Sequence, residues 1–225
     1  MLPSAGAYAQ IPHFGVWNEP DAGPDGRSGA WCPTEGSRVI YGSNDRTQLH
    51  NAINSFSTSD GTGTQWAMKY GVALLDPSSR DDFAALRSAG ELGSDYTDRP
   101  HQWEDASKYL VLMTDGGTSR ENRPIDPYDL DNVDIKLNNN TSNRLETRTQ
   151  GQARADFSAY CAQAKIENPE LIIYTVAMDS AVAADLLEDC ASSPSHFFTV
   201  SDDTIDDAFQ IIAQNLARDA LRLTN

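Results

Sequence analysis

A chain of 225 residues with 39% hydrophobic content can bury one α/β core, or two small ones, and a single domain is the simpler expectation. The formal net charge of -16 and the sequence pI near 4.4 oppose binding to phosphate backbones, so nucleic acid and anionic membranes are poor partners. No apolar run approaches the roughly 18 residues of a membrane helix, and the N-terminus has neither the basic start nor the apolar core of a signal peptide.

Residues 1–36 hold Pro3, Pro12, Pro20, Pro24 and Pro33 with six glycines and no helical or strand period. They read as an irregular segment set apart from a domain over 37–225. Trp17 and Trp31 are too large and apolar to be left fully solvated without cost, so this segment is expected to lie over a surface. Residues 37–41 suggest a short strand. Asn44 or Asp45 then caps a helix with Leu49, Ala52, Ile53 and Phe56 at helical spacing.

The glycine and hydroxyl turn Asp60-Gly61-Thr62-Gly63-Thr64 leads directly into a helix over 65–75, with Trp66, Met68, Val72 and Leu75 on its apolar side. Pro77 ends it. A polar stretch to Ser107 reads as irregular, and the run Tyr109-Leu110-Val111-Leu112-Met113 follows. Five successive apolar residues fit a central strand buried on both faces. Asp115-Gly116-Gly117 comes next, placing a carboxylate at the strand's carboxyl end, where open α/β sheets put their ligand sites.

Residues 117–150, with Pro124, Pro127, three consecutive asparagines and many charges, read as a long surface loop. The remainder alternates: a helix over 151–167, a second buried strand over 171–178, a helix over 181–190, a third strand over 196–200, and a last helix starting at Asp202 or Asp203. Its stripe is Ile205, Ala208, Phe209, Ile212 and Leu216. This order predicts a doubly wound, mainly parallel α/β sheet with right-handed crossovers and helices on both faces.

Oxygen ligands from Thr62, Thr64 and Asp115 could converge at the carboxyl edge of such a sheet, and hard oxygens suit magnesium. The same residues also serve ordinary roles, since Asp before Gly-Gly closes turns and Thr before a helix caps it. An enzyme has little support. His13, His50, His101 and His196 are scattered beside no nucleophile motif, Gly61-x-Gly63 is not a dinucleotide loop, and no phosphate loop with Lys occurs. Asp129, Asp131 and Asp134 lack the glycine and terminal Glu of an EF-hand and read as a solvated acidic loop. Of the three cysteines, Cys161 and Cys190 flank the second strand and look paired, which suits an exported protein; in a cytosolic one all three, Cys32 included, could be buried thiols.

The segment YLVLMTDGG, residues 109–117, resembles the fourth-strand signature of von Willebrand factor A domains, and Gly61-Thr62 with the helix behind it resembles their threonine loop. Cys32-Pro33-Thr34, the helix over 44–56, the segment 61–77, the helix around 161–165, Ile172-Ile173-Tyr174-Thr175-Val176, LEDCASSP at 187–194 and the ending Leu221-Arg222-Leu223-Thr224 together resemble the C-terminal part of TadG-like proteins of the bacterial Tad/Flp pilus assembly system. The likeness covers roughly residues 30–225.

That resemblance implies a von Willebrand factor A-like (Rossmann-like) fold and a non-enzymatic, adhesion-type module that binds envelope or pilus-assembly proteins. It also implies a divalent cation, Mg2+ (or Mn2+ or Ca2+), with Thr62 and Asp115 as ligands. The family's Asp-x-Ser-x-Ser loop and its strand have no counterpart here: residues 39–45 (VIYGSND) lack the apolar length and the spacing. The fold is then incomplete at its N-terminal strands, the ion loses most of its ligands, and residues 109–113 are left with an unpaired edge that must be covered, paired with another chain or tolerated. The chain could accordingly be an ion-independent structural fragment of a longer pilus-assembly protein. The resemblance further implies an inner-membrane-anchored full-length protein with its globular part in the periplasm, and it favours a Cys161–Cys190 disulfide.

Overall fold

The computed structural model describes residues 38–56, 62–129, 131, 142–179 and 184–222. The expectations for residues 1–36, for Asp60 and Gly61, for Asp134 and for Leu223-Thr224 lie outside the described residues. In chain order the elements are α1 (Arg46–Ser55), α2 (Thr64–Leu75), α3 (Arg80–Ser88), β1 (Lys108–Thr114), β2 (Glu121–Pro124), β3 (Arg144–Arg148), α4 (Gln150–Glu167), β4 (Leu171–Met178), α5 (Ala184–Cys190), β5 (Phe197–Val200) and α6 (Ile205–Arg222). They divide between two compact units, one of Thr62–Ala85, Asp95–Ser119 and Gln150–Asn225, the other of Met1–Gly61, Leu86–Ser94 and Arg120–Thr149.

The first unit is a mixed α/β fold around a parallel sheet in the order β1-β4-β5. Lys108 stands opposite Leu171 and Thr114 opposite Ala177, and Thr175 to Met178 pair with Phe197 to Val200. Because side chains alternate across a strand, the sheet sends two sets of residues to its two faces. Leu110, Leu112, Leu171, Ile173 and Ala177 meet Met68 of α2, Phe157, Cys161 and Ala164 of α4, and Leu187 and Cys190 of α5. Tyr174, Val176 and Val200 meet Ala208 and Ile212 of α6, with Ile205 and Leu216 beside them. Helices thus cover both faces, as the alternation of elements predicts.

Local chemistry explains the close fits. An added Cβ on Gly71 would stand 2.8 Å from Leu110 Cδ1, so α2 lies directly on β1. The buried hydroxyl of Thr175 donates to the Leu187 carbonyl at 2.7 Å, and Ser192 Oγ accepts from Ile173 N at 2.8 Å, so polar atoms inside the sheet find partners on the α5 side. Cys161 and Cys190 form a disulfide with Cα atoms 5.2 Å apart, tying α4 to the end of α5.

Only β4 is the doubly buried central strand. The expectation that 109–113 occupies that place is corrected: β1 pairs with β4 alone among the described residues, and its burial alternates, leaving Val111 and Met113 39% and 45% exposed. A continuous apolar run shows that a strand is apolar on both sides, but not that both sides are covered.

In the second unit Asp45 caps α1, its carboxylate accepting from Thr47 N at 2.8 Å and Gln48 N at 3.2 Å. The apolar stripe of α1 is present, yet Leu49, Ile53 and Phe56 are exposed and no residue of the helix is buried. Residues 38–41 are not a strand. The expected long loop over 117–150 contains the antiparallel pair β2–β3, in which Asn122 faces Glu146 and Pro124 faces Arg144. The stretch expected to be irregular before Ser107 contains α3, whose own residues span the division between the units.

Candidate functional site

The carboxyl edge of the sheet in the first unit is assembled from two loops. One follows β1 and the other precedes α2. Thr62 and Ser119 bind each other reciprocally: Ser119 N donates to the Thr62 carbonyl at 2.8 Å, and Thr62 N donates to Ser119 Oγ at 3.2 Å. One turn further in, the hydroxyls of Thr64 and Thr118 are hydrogen-bonded to each other and buried. Gln150 Nε2, at the start of α4, donates to the Thr118 carbonyl at 3.0 Å.

Thr114 shapes the turn between them, its hydroxyl donating to the Gly116 carbonyl at 3.0 Å and accepting from Gly116 N at 3.2 Å. A Cβ on Gly116 would stand 3.1 Å from Thr62 Oγ1, so a larger residue there would press on the threonine side chain. The two residues singled out from the sequence are therefore on adjoining loops: the Thr62 hydroxyl rests against Gly116, and Asp115 next to it is exposed. Thr64 is at the same edge, but its hydroxyl is held by Thr118.

As a cation site the donor set is short. Among the described residues no group of three His, Cys, Asp or Glu side chains converges, and the hydroxyls of Thr64, Thr114 and Thr118 are engaged within the protein. Asp115 and Thr62 would hold a divalent ion only with waters or a partner's oxygens completing its shell, since magnesium gives up water reluctantly. The edge is nevertheless strongly negative: Asp179, Asp202 and Asp203, at the ends of β4 and β5, are exposed alongside Asp115.

The opposite edge is organised around Lys108, 7% exposed. Its Nζ donates to the carbonyls of Leu75 at 2.7 Å and His101 at 2.6 Å and stands 4.0 Å from the centre of the Trp103 ring. Burial lowers its pKa, against the pull of the Asp76 carboxylate. Hydrogen bonds from Ser78 hold Asp76 below the usual carboxylate range, and the Lys108 charge adds to this. Sequence reasoning gave Lys108 no role, because nothing local marks a lysine as buried.

His196 is half-buried, its ring edge-on to Tyr174 with centroids 4.5 Å apart and its Nδ1 2.6 Å from Ser193 Oγ. Ser193 precedes the one-turn helix Pro194–His196, so this serine–histidine contact spans three residues of one turn and belongs to its local geometry. The nearby carboxylate of Asp219 accepts from the Tyr109 hydroxyl at 3.0 Å. Burial lowers the His196 pKa from 6.5, with Asp219 working the other way. The unfolded chain therefore binds this proton first as pH falls, and stability present above about pH 6.5 is lost on acidification through the folded-state pKa. Thermal melts between pH 7.5 and 5 should show that decline, and His196→Phe should flatten it; an equal decline in the variant would assign it to other groups.

No protein-family model matches the chain, and no curated protein matches it. A solved structure similar to it is the vWF domain of the type V pili tip protein Mfa5 from Porphyromonas gingivalis, 17% identical, with a TM-score of 0.43 over 77% of this chain and 73% of that one.

Proposed function

We propose that this chain is a non-enzymatic, adhesion-type protein-binding module of the bacterial envelope, working in Tad/Flp pilus assembly with its globular part in the periplasm. The observation that carries the reading is the junction of the Thr62 loop with the Asp115-Gly116 turn at the carboxyl edge of a parallel sheet. These are the two loops whose sequence resembles the threonine and aspartate loops of von Willebrand factor A domains. The order of the TadG-like segments supports the pilus assignment, and the Cys161–Cys190 disulfide suits a compartment in which disulfides persist. An operon lacking every other Tad/Flp component would count heavily against the finer assignment.

At this edge Thr62 and Asp115 bind Mg2+, Mn2+ or Ca2+ weakly, and a carboxylate or carbonyl of the partner protein completes the shell. An ion that binds only the folded chain raises its stability by about 1.4 kcal/mol at tenfold excess over its dissociation constant. Millimolar Mn2+ or Mg2+ should accordingly raise the melting temperature relative to EDTA, and Asp115→Ala should abolish the rise. The cation reading fails if the shift is absent or survives in Asp115→Ala.

A second reading has its own observation. β1 has one neighbouring strand among the described residues, which fits an ion-independent structural fragment of a longer pilus-assembly protein. A cooperative melt indifferent to all three cations favours it.

A further inference from the structure

The free side of β1 has the character of a docking edge. It offers seven residues of strand with continuous register to β4 on one side and no described strand on the other. Edge strands are ordinarily blunted by charge, proline or a bulge. From Tyr109 to Thr114 there is no charged residue and no proline, and the pairing with β4 has no register break. On the face that α6 covers elsewhere, Val111 and Met113 are exposed while Leu110 and Leu112, pointing the other way, are buried. An occupant would find an open hydrogen-bonding edge beside an apolar strip.

We propose that this edge receives an extended strand of a separate partner protein, alternately apolar so as to cover Val111 and Met113, and flanked by Lys or Arg. Three observations select that occupant. Within residues 1–225 the stretches read as buried strands are those of β1, β4 and β5, and the sheet uses all three, while residues 38–41 are not a strand and residues 1–36 carry five prolines and no strand period. A second copy could pair β1 against β1, but it would bring a chain of net charge -16 against another of -16. The partner's flanks are basic because Asp115, Asp179, Asp202 and Asp203 are exposed at the strand ends, and residues 109–119, 171–179 and 197–207 contain no Lys or Arg. The mode is β-augmentation: main-chain bonds give affinity and alternate side chains give specificity. It rests on reading the chain as a protein-binding module, and it is independent of the cation.

The test uses the full chain in EDTA with an end-blocked nine-residue peptide alternating valine with lysine and threonine, and a control peptide with proline at alternate positions. Light scattering should give a monomer. The outward amides of β1 should exchange fast in the free chain and at least tenfold more slowly with the valine peptide. Val111→Lys and Met113→Lys should weaken the peptide at least tenfold at nearly unchanged melting temperature, because both side chains are already exposed. The proposal is overturned if the peptide fails to bind, or if the proline control or the lysine variants bind equally well. It is also overturned by a dimer with slow β1 exchange, which assigns the edge to a second copy, or by slow exchange in the free monomer, which assigns it to the chain's own residues. Absence of any melting shift with Mn2+ or Mg2+ leaves all of these outcomes unchanged, because the peptide is measured on the wild-type chain in EDTA, so the two readings fail separately.

Discussion

Replacing Cys161 and Cys190 together by alanine should lower the unfolding free energy by about 3.5 kcal/mol and the melting temperature by about 10 °C. The bridge closes a loop of sequence separation 29, and releasing that loop restores conformational freedom to the unfolded chain. The packing loss is smaller, since each substitution removes one sulfur from the core under α4 and α5. Both cysteines are almost fully buried, at 2% and 1%, so reductant reaches the bond only when the region opens. Reduction of the native protein should therefore be slow without denaturant and fast with it. Urea melts of the oxidised, reduced and doubly substituted proteins provide the check: the reduced protein should approach the variant. An oxidised wild type that melts with the variant would show that the bond contributes no stability, and three alkylatable thiols in unreduced native protein would show that it is absent.

The strand most legible in the sequence is β4, because both its faces are covered and its run is apolar but for Thr175; it occupies Leu171–Met178 as expected. β1 is legible as a strand but not in its position, since Val111 and Met113 are apolar whether or not a neighbour covers them. β2 and β3 leave almost no trace: Glu-Asn-Arg-Pro and Arg-Leu-Glu-Thr-Arg pair through their backbones without an apolar period. The start of α3 was readable: it follows a one-turn helix, Pro77–Ser79, capped by Asp76, and carries Asp81 and Asp82 in its first turn and Arg87 in its last. α1 shows the limit of periodicity, which predicts an apolar face but not what meets it. At the candidate site the meeting of the two loops was legible from an aspartate closing an apolar strand and a glycine-threonine turn opening a helix. The contacts of Thr118, Ser119 and Gln150 were not, because they join residues 32 to 57 positions apart.

Lys108→Met should destabilise the fold by about 3 kcal/mol, although methionine is more apolar and the site is buried. The reason lies in what lysine satisfies. Leu75 is the last residue of α2, so its carbonyl is among those left without an intrahelical partner, at the negative end of the helix dipole; Nζ supplies both the donor and the charge. The same ammonium satisfies the His101 carbonyl and lies over the Trp103 ring, fixing the chain entering β1. Removing it orphans two carbonyls at about 1–3 kcal/mol each, and added apolar burial offsets only part of that. Charge preference is a separate quantity. The carbonyls, the ring and Asp76 favour the ammonium, but desolvation is larger and holds the pKa below 10.5. Between the folded value and 10.5 the unfolded chain binds more protons, so the Lys108 contribution to stability grows as pH rises through that window. Tyr109 acts oppositely: burial, and its bond to Asp219, raise the phenol above 10.0, so the stability it contributes is lost as pH climbs past 10. That term is common to both proteins and cancels in their difference. Urea melts of wild type and Lys108→Met from pH 7.5 to 10.5 should therefore show a gap that starts near 3 kcal/mol and widens with pH. A gap that narrows would mean that the paired ammonium is favoured over the solvated one, and a gap near zero at every pH would mean that the two carbonyls find water when the lysine is gone.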